Sequence, residues 1–514
     1  MSAQTHSPDA VEKPLAGGQL TLAAILLAAA NFIVVLDTTI ANVSVPNIAG
    51  GLGASTSQGT LVITSYAVAE AITVPLTGWL ANRFGTVRVF ITAMVMFGLF
   101  SILCGLAPSL GLLVVFRVFQ GLSGGPLMPL SQTLLLQVFP KEKAPAAIGL
   151  WSMTTLVAPV LGPILGGTLC DQLSWPYIFF INVPIALTCA WFGWKLLKRY
   201  ESPLIKARFD AVGLGLLVLW VSALQIMLDE GKDLDWFASH EIVALAIVAL
   251  IGFLAFLIWE LTERDPVVDL RVFRHRGFTM SVVTISLAFG AFFGSTVLTP
   301  LWLQNYMGYT ATQAGYATAT TGILAVLAAP FAAKLSAKVD SRLLVFLGVT
   351  WLGAMTLLRT DATTDMTSWQ ISSLLLFQGI GLPFFFVPLT GLALSSVEEA
   401  ETASGAGLMN FCRTVSGAFA TSLVQTAWEN QTTRNHAELA GLVDRGGDSI
   451  RLLITSGMES EQARGMIEQL AQGQAVMVAT NQVFLWAGLA FVLAATAIWF
   501  APRPTRVADT TGAH

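Results

Sequence analysis

The sequence predicts an all-α integral membrane protein with fourteen transmembrane helices, arranged as two six-helix bundles plus two inserted spans. Three observations carry this reading. The 514-residue chain is 54% hydrophobic and only 11% charged, with mean hydropathy +0.70, whereas a soluble domain carries about 25% charged residues. Its apolar residues fall into fourteen runs, most near the ~20 residues that cross a bilayer. Two passages 258 residues apart resemble each other. No water-soluble surface can be built from this composition, so a single soluble core is excluded.

The first six runs lie near 20–43, 58–80, 87–107, 111–135, 145–169 and 176–195. Two more follow at about 211–228 and 241–262. The last six are near 279–303, 313–335, 343–359, 369–393, 403–427 and 479–501. The expected organisation is a cytoplasmic tail (1–19), a first bundle (20–200), the inserted pair (201–270), a second bundle (271–503) and a C-terminal tail (504–514). The polar stretch 429–478 is expected as an external loop, with a short amphipathic helix in "MESEQARGMIEQLAQGQ". It reads as either a solvated loop or a docking surface for a partner.

Positive charge near span ends sets orientation. With the N-terminus inside, the inner loops hold Arg83, Arg88, Lys141, Lys143, Lys198, Arg199, Lys206, Arg208, Arg264, Arg271, Arg274, Arg276, Lys334, Lys338 and Arg342. Lys232 and Arg359 are the outer-loop exceptions, and the acidic inner stretch "SVEEAET" gives no support. Both termini are therefore expected in the cytoplasm, with Arg503 and Arg506 after the last span. The polar N-terminus carries no pattern of a removable signal peptide.

The repeat joins "FQGLSGGPLMPLSQT" from Phe119 to "FQGIGLPFFFVPLTG" from Phe377, and sets Gly149 and Leu150 against Gly407 and Leu408. Internal repeats of this kind mark transporters, whose site lies between halves that rock about it. Enzyme chemistry has no such support. There is no phosphate-binding Gly-Lys loop and no dinucleotide fingerprint. "GLSGG" at 121–125 matches a nucleophile elbow but lies inside a span. The four cysteines show neither disulfide nor zinc spacing. The net charge of −4 gives no hint of nucleic-acid binding.

Four charges interrupt the apolar runs: Asp37, Glu70, Arg117 and Arg413. A charge at the bilayer centre costs roughly 2.5–3.5 kcal/mol on insertion scales and usually faces a cavity or a partner. Asp37 reads as a proton site for which a cationic cargo competes, or as a polar cap near the interface. Glu70 reads as a second proton site, a cation contact or a cavity-wall residue. Arg117 either keeps the carboxylates ionised or forms a fixed ion pair, and Arg413 anchors the far side of a cavity. An apolar, aromatic binding surface is expected from Phe32, Trp151, Met153, Phe384, Phe386 and Asn410, with Asp37, Glu70 and Arg413 as polar anchors.

"LDTTIANVSVP" (36–46), "GWLANRFGTVRVF" (78–90), "RVFQGLSGG" (117–125) and "APVLGPILGG" (158–167) occur in this order. With fourteen spans, the chain resembles the drug:proton antiporters of the major facilitator superfamily, and most of all the EmrB type of bacterial inner-membrane multidrug exporter. The resemblance runs from about 18 to 503. It implies the major facilitator fold and proton-driven export of lipophilic small molecules. It also implies no cofactor beyond the proton gradient, and a periplasmic membrane-fusion adaptor with an outer-membrane channel as partners. It assigns conformational roles to Gly78, Arg83, Gly85 and Arg88 between spans 2 and 3, and to Gly162, Pro163, Gly166 and Gly167 in span 5. Asn82 stands where the family has an aspartate, Thr86 and Val87 replace other motif positions, and Ala158 replaces a glycine. A dedicated exporter of one natural metabolite, siderophore or antibiotic is the alternative.

Overall fold

The computed structural model describes residues 15, 17–140, 143–204, 209–232, 234–363, 365–445 and 448–503. Most of both tails, with Lys141, Lys206, Arg208 and Arg506, lies outside the described residues. No strand occurs among those described.

A first group of helices comprises α1 (Gly18–Gly51), α2 (Thr56–Gly59), α3 (Leu61–Thr73), α4 (Thr77–Phe84), α5 (Thr86–Gly105), α6 (Leu110–Gly124), α7 (Leu127–Val138), α8 (Ala144–Gln172), α9 (Tyr177–Phe180) and α10 (Asn182–Leu197). A hairpin follows, α11 (Ala211–Glu230) and α12 (His240–Thr262). The second group comprises α13 (Arg276–Tyr306), α14 (Ala311–Ser336), α15 (Ser341–Leu357), α16 (Ser368–Ser395), α17 (Thr402–Arg445), α18 (Asp448–Thr455) and α19 (Ser460–Ala497).

Local chemistry sets several starts. The Ser109 hydroxyl caps α6, and the Asp210 carboxylate accepts from two backbone amides at the head of α11. Thr310 with Gln313, and Thr367 with Gln370, form capping boxes that open α14 and α16. The repeat is visible in the helices themselves. Those beginning at Gly18, Leu110 and Ala144 recur at Arg276, Ser368 and Thr402, each 258 residues on.

Among the described residues, ten helices are long and apolar enough to cross a membrane, and twelve if two bent pairs each count as one span. The bends are 59° between α3 and α4, and 45° within α8 after Pro159, where proline removes a helix hydrogen bond. The runs expected at 343–359 and 403–427 correspond to α15, an apolar helix of 17 residues, and to α17, which continues into polar sequence. The stretch expected as an external loop is largely helical. The tail of α17, the whole of α18 and the head of α19 occupy it. The acidic stretch "SVEEAET" finds its partners ahead of α13, where Arg274 pairs with Glu398 and Glu401 at 3.0 and 2.9 Å. Arg359 is buried, giving a hydrogen bond to Thr299 and lying 3.9 Å from the Phe484 ring centroid.

Candidate functional site

Asp37 sits mid-way along α1 with 0% of its surface exposed. It persists there because three donors converge on it. Arg117 of α6 gives an ion pair at 2.5 Å, Gln120 donates at 3.0 Å and Asn182 of α10 at 2.7 Å. Arg117 is itself held by the Val62 carbonyl (3.1 Å) and the Gln120 side chain (2.9 Å), with its guanidinium 4.2 Å from the Tyr66 ring centroid. Ser101 accepts from Gln120 at 2.8 Å. Gly121 lets α6 approach α3, since a Cβ there would stand 2.5 Å from the Tyr66 carbonyl oxygen. A buried ion pair whose remaining hydrogen-bonding capacity is satisfied is tolerated; removing one member leaves an uncompensated charge. Sequence reasoning found both charges but missed Gln120, Asn182, Ser101 and Tyr66. The available signal was Gln120, three residues after Arg117 and hence on the same helix face.

Glu70 differs. It is half-buried on α3, and its carboxylate has neither a hydrogen bond nor an ion pair among the described residues. Its charge acts on Arg413, Asp37 and Arg117. Arg413 of α17 is 4% exposed, touches the Met128 sulfur of α7 and lies 5.2 Å from the Phe289 ring centroid. Its Nε finds no partner among the described residues, and no carboxylate comes within 4.0 Å. One turn earlier, Asn410 donates to Gln132 of α7 at 2.7 Å. Glu70 and Arg413 thus stand on opposite sides of the junction between the two helix groups.

The expected lining residues divide. Phe32, Met153 and Phe384 are half-buried, and Met153 borders a cleft of about 430 Å³ between α8 and α14. Phe386 is buried against Phe289. Trp151 is 1% exposed; its indole donates to Ser131 at 2.8 Å and its carbonyl accepts from Asn31. In this conformation Trp151 and Phe386 are packing residues, because neighbouring helices consume the surface that a ligand would need.

The glycine-arginine loop is also explained. A Cβ on Gly78 would stand 2.0 Å from the Ser404 hydroxyl, and one on Gly407 2.8 Å from the Val74 carbonyl. These glycines let α4 and α17 meet. Gly85 has φ +95°, which favours glycine. The acid that the loop lacks at Asn82 arrives from elsewhere: Glu201 accepts from the backbone amides of Val87 (2.9 Å) and Arg88 (3.1 Å), and pairs with the Arg88 side chain at 3.7 Å. Arg83 is exposed. In α8, Gly162 and Gly166 face Thr39 and Ile40 of α1, Pro163 is half-buried, and Gly167 has nothing close to its Cβ position. The seam is therefore internal to the first group.

Contacts between groups gather toward the end that carries Arg83, Arg88, Lys334 and Lys338. Gly78 meets Ser404 there, Gly407 meets Val74, and Gly149 meets Ala333. Replacing Gly78 by leucine is expected to overpack this junction, at roughly 1–3 kcal/mol, with lower thermal stability in detergent and lower efflux. Ser404→Gly in the same chain is expected to recover part of both, and no recovery would remove this contact from the account.

A paired acid inside one helix group, an unpaired one at the junction and a 258-residue repeat describe a carrier. The sequence pattern of the Major Facilitator Superfamily matches residues 27–421. The chain belongs to the major facilitator superfamily. Within it, the chain is 42% identical over 498 residues to the multidrug export protein EmrB of Escherichia coli K12, covering 96% of this chain and 97% of that protein. It is 42% identical over 495 residues to the fatty acid resistance protein FarB of Neisseria gonorrhoeae, covering 96% and 98%. Two solved structures share the fold. The human organic anion transporter MFSD10 has a TM-score of 0.56 at 12% identity, covering 93% of this chain and 100% of its own. The proton:xylose symporter XylE has 0.57 at 13%, covering 94% and 96%. The chain is a multi-pass secondary transporter of the superfamily and not an enzyme, related to EmrB-type exporters.

Proposed function

We propose that the chain is a proton-coupled antiporter that exports lipophilic compounds across a bacterial inner membrane by alternating access. In this reading it has fourteen spans, with α15 and the first part of α17 crossing the membrane. Residues 20–200 and 271–503 form the moving bundles, 201–270 the inserted pair, and both termini are cytoplasmic. Stretch 429–478 then faces a periplasmic adaptor and, beyond it, an outer-membrane channel.

The observation that carries the proposal is Glu70, a half-buried carboxylate with no hydrogen bond or ion pair among the described residues, on the first-group side of the junction that Arg413 borders from the second group. Such a group is free to exchange a proton, the arginine or a cationic cargo, and mutual exclusion at one site is what antiport requires. Asp37 plays a different part. Arg117 and Gln120 of α6 and Asn182 of α10 bind its carboxylate, so any change of its partners requires a movement of α6 or α10 against α1. Each elementary charge crossing the membrane is worth about 2.3 kcal/mol per 100 mV, enough to drive uphill export. In proteoliposomes, an imposed pH gradient is expected to drive accumulation of the lipophilic cation tetraphenylphosphonium. Accumulation that ignores the gradient would sink the antiporter reading.

Arg413 favours a second reading, dedicated export of one lipophilic anion. Its unpartnered Nε–H suits a carboxylate, and a relative as similar as EmrB is named for fatty acid resistance. Competition separates the two: unrelated lipophilic compounds block a multidrug carrier, whereas only chemically close anions block a dedicated one.

A further inference from the structure

The inserted hairpin has a place that the transport reading leaves unexplained. Toward the basic end, the first and second groups touch directly, Gly407 against Val74 and Gly78 against Ser404. From mid-membrane to the opposite end, α11 lies between α3 and α17. Trp220 of α11 is 5% exposed and shares one apolar cluster with Ala71 and Ile72 of α3. Its ring meets Phe411 of α17 edge-on at 5.8 Å. Ala71 and Phe411 flank Glu70 and Arg413 in sequence, one and two residues away. Trp220 therefore fills the wedge between α3 and α17 beside the segments that carry the two charges, where the exporter reading puts the cargo chamber. Its indole N–H has no hydrogen-bond partner among the described residues, an unusual cost for a buried tryptophan. On its outer side, Gly252 of α12 leaves room for it, and α12 otherwise turns most of its surface outward.

The polar ties of α11 and of the turn after it are unequal, although its apolar packing is broader against α3. Toward α17 there are three: Ser422 donates to the Leu228 carbonyl (2.9 Å), the Trp236 indole that follows α11 donates to Thr426 (2.9 Å), and Lys232 pairs with Glu429 (2.8 Å). Toward α3 the described contacts are mainly apolar, with the Asp229 side chain near the Thr64 hydroxyl.

We infer that α11 is a lateral seal that travels with the second group and slides on α3, and that Trp220 keeps lipophilic cargo in the chamber from slipping back into the bilayer. The inference rests on the exporter reading and assigns the inserted pair a part in it. When the halves rock, α3 and α17 must separate or approach at the end away from the basic loops. Any helix wedged between them has to follow one partner and release the other, and the bonds select α17. A lipophilic cargo facing an open seam would partition into lipid, so the seal sets how much of each proton's work becomes net export.

The test uses the full chain in proteoliposomes, with the four native cysteines replaced by serine. One double variant, Trp236→Cys with Thr426→Cys, is joined by a short thiol cross-linker and pins the seal to α17. The other, Thr64→Cys with Asp229→Cys, pins it to α3. The first lock is expected to leave gradient-driven tetraphenylphosphonium transport near that of the uncross-linked protein. The second is expected to stop it until the linker is cleaved. Both locks tolerated, or the first lock inhibitory, would overturn the inference. In parallel, Trp220→Ala is expected to raise the protons moved per tetraphenylphosphonium exported severalfold, and Trp220→Phe to restore the ratio. A merely structural role lowers both fluxes together and leaves the ratio unmoved, which would also overturn it. If the parent protein ignores the gradient, the exporter reading fails, and this inference with it. A responsive parent with a freely tolerated α3 lock sinks the seal alone.

Discussion

Glu70→Gln is expected to cut gradient-driven export by at least about tenfold, equivalent to ~1.4 kcal/mol or more in the limiting step. The substitution keeps shape and removes the ionisable oxygen. Because the native carboxylate bonds to nothing among the described residues, its loss should leave folding almost untouched. Exchange of labelled for unlabelled tetraphenylphosphonium needs no proton movement, so it should persist in the variant, with weakened binding. Thermal unfolding close to that of the native protein, together with lost export, is the expected signature. Export at the native level in Glu70→Gln would remove this residue from the coupling site.

Arg117→Leu is expected to be the most destabilising single change at the site, by about 3–5 kcal/mol, because it leaves Asp37 buried as an uncompensated charge. The cation is enclosed by Asp37, Gln120, the Val62 carbonyl and the Tyr66 ring. Asp37→Asn should also destabilise: its amide oxygen can still accept from Gln120 and Asn182, but Arg117 is left buried without a counter-charge. The double variant Asp37→Leu with Arg117→Met should regain most of the stability, because an apolar pair of similar volume replaces two desolvated charges. It should not regain export. Unfolding midpoints in detergent, measured beside proteoliposome efflux, check both halves of the statement. A double variant as unstable as Arg117→Leu alone would show that packing, rather than charge compensation, governs this cluster.

The four membrane charges were legible in the sequence because a charged side chain in an apolar run is conspicuous. Their partners were not. Gln120, Asn182 and Gln132 are neutral amides within spans, and beyond the shared face of Arg117 and Gln120 nothing in the sequence shows that donors converge from two helices on one carboxylate or that Gln132 bridges two groups. Glu201 was invisible for a similar reason: it lies more than a hundred residues from the loop that it holds. The repeat was read correctly from short matches, and the helix starts reproduce its offset. The stretch 429–478 misled because polar composition usually marks a loop. Here the helices of the last two runs continue through it, and their own backbone bonds satisfy polar groups that a loop would give to water. The apolar runs of α11 and α12 show in the hydropathy, but the wedge of α11 between α3 and α17 is a matter of packing. Trp220 looked like any other aromatic in a span.

The most direct test of the central claim is proton movement itself. With an acidic lumen and the protein in proteoliposomes, adding tetraphenylphosphonium should raise the lumenal pH through the native protein and leave it unchanged through Glu70→Gln. Proton release from Glu70→Gln at the native rate would contradict the account.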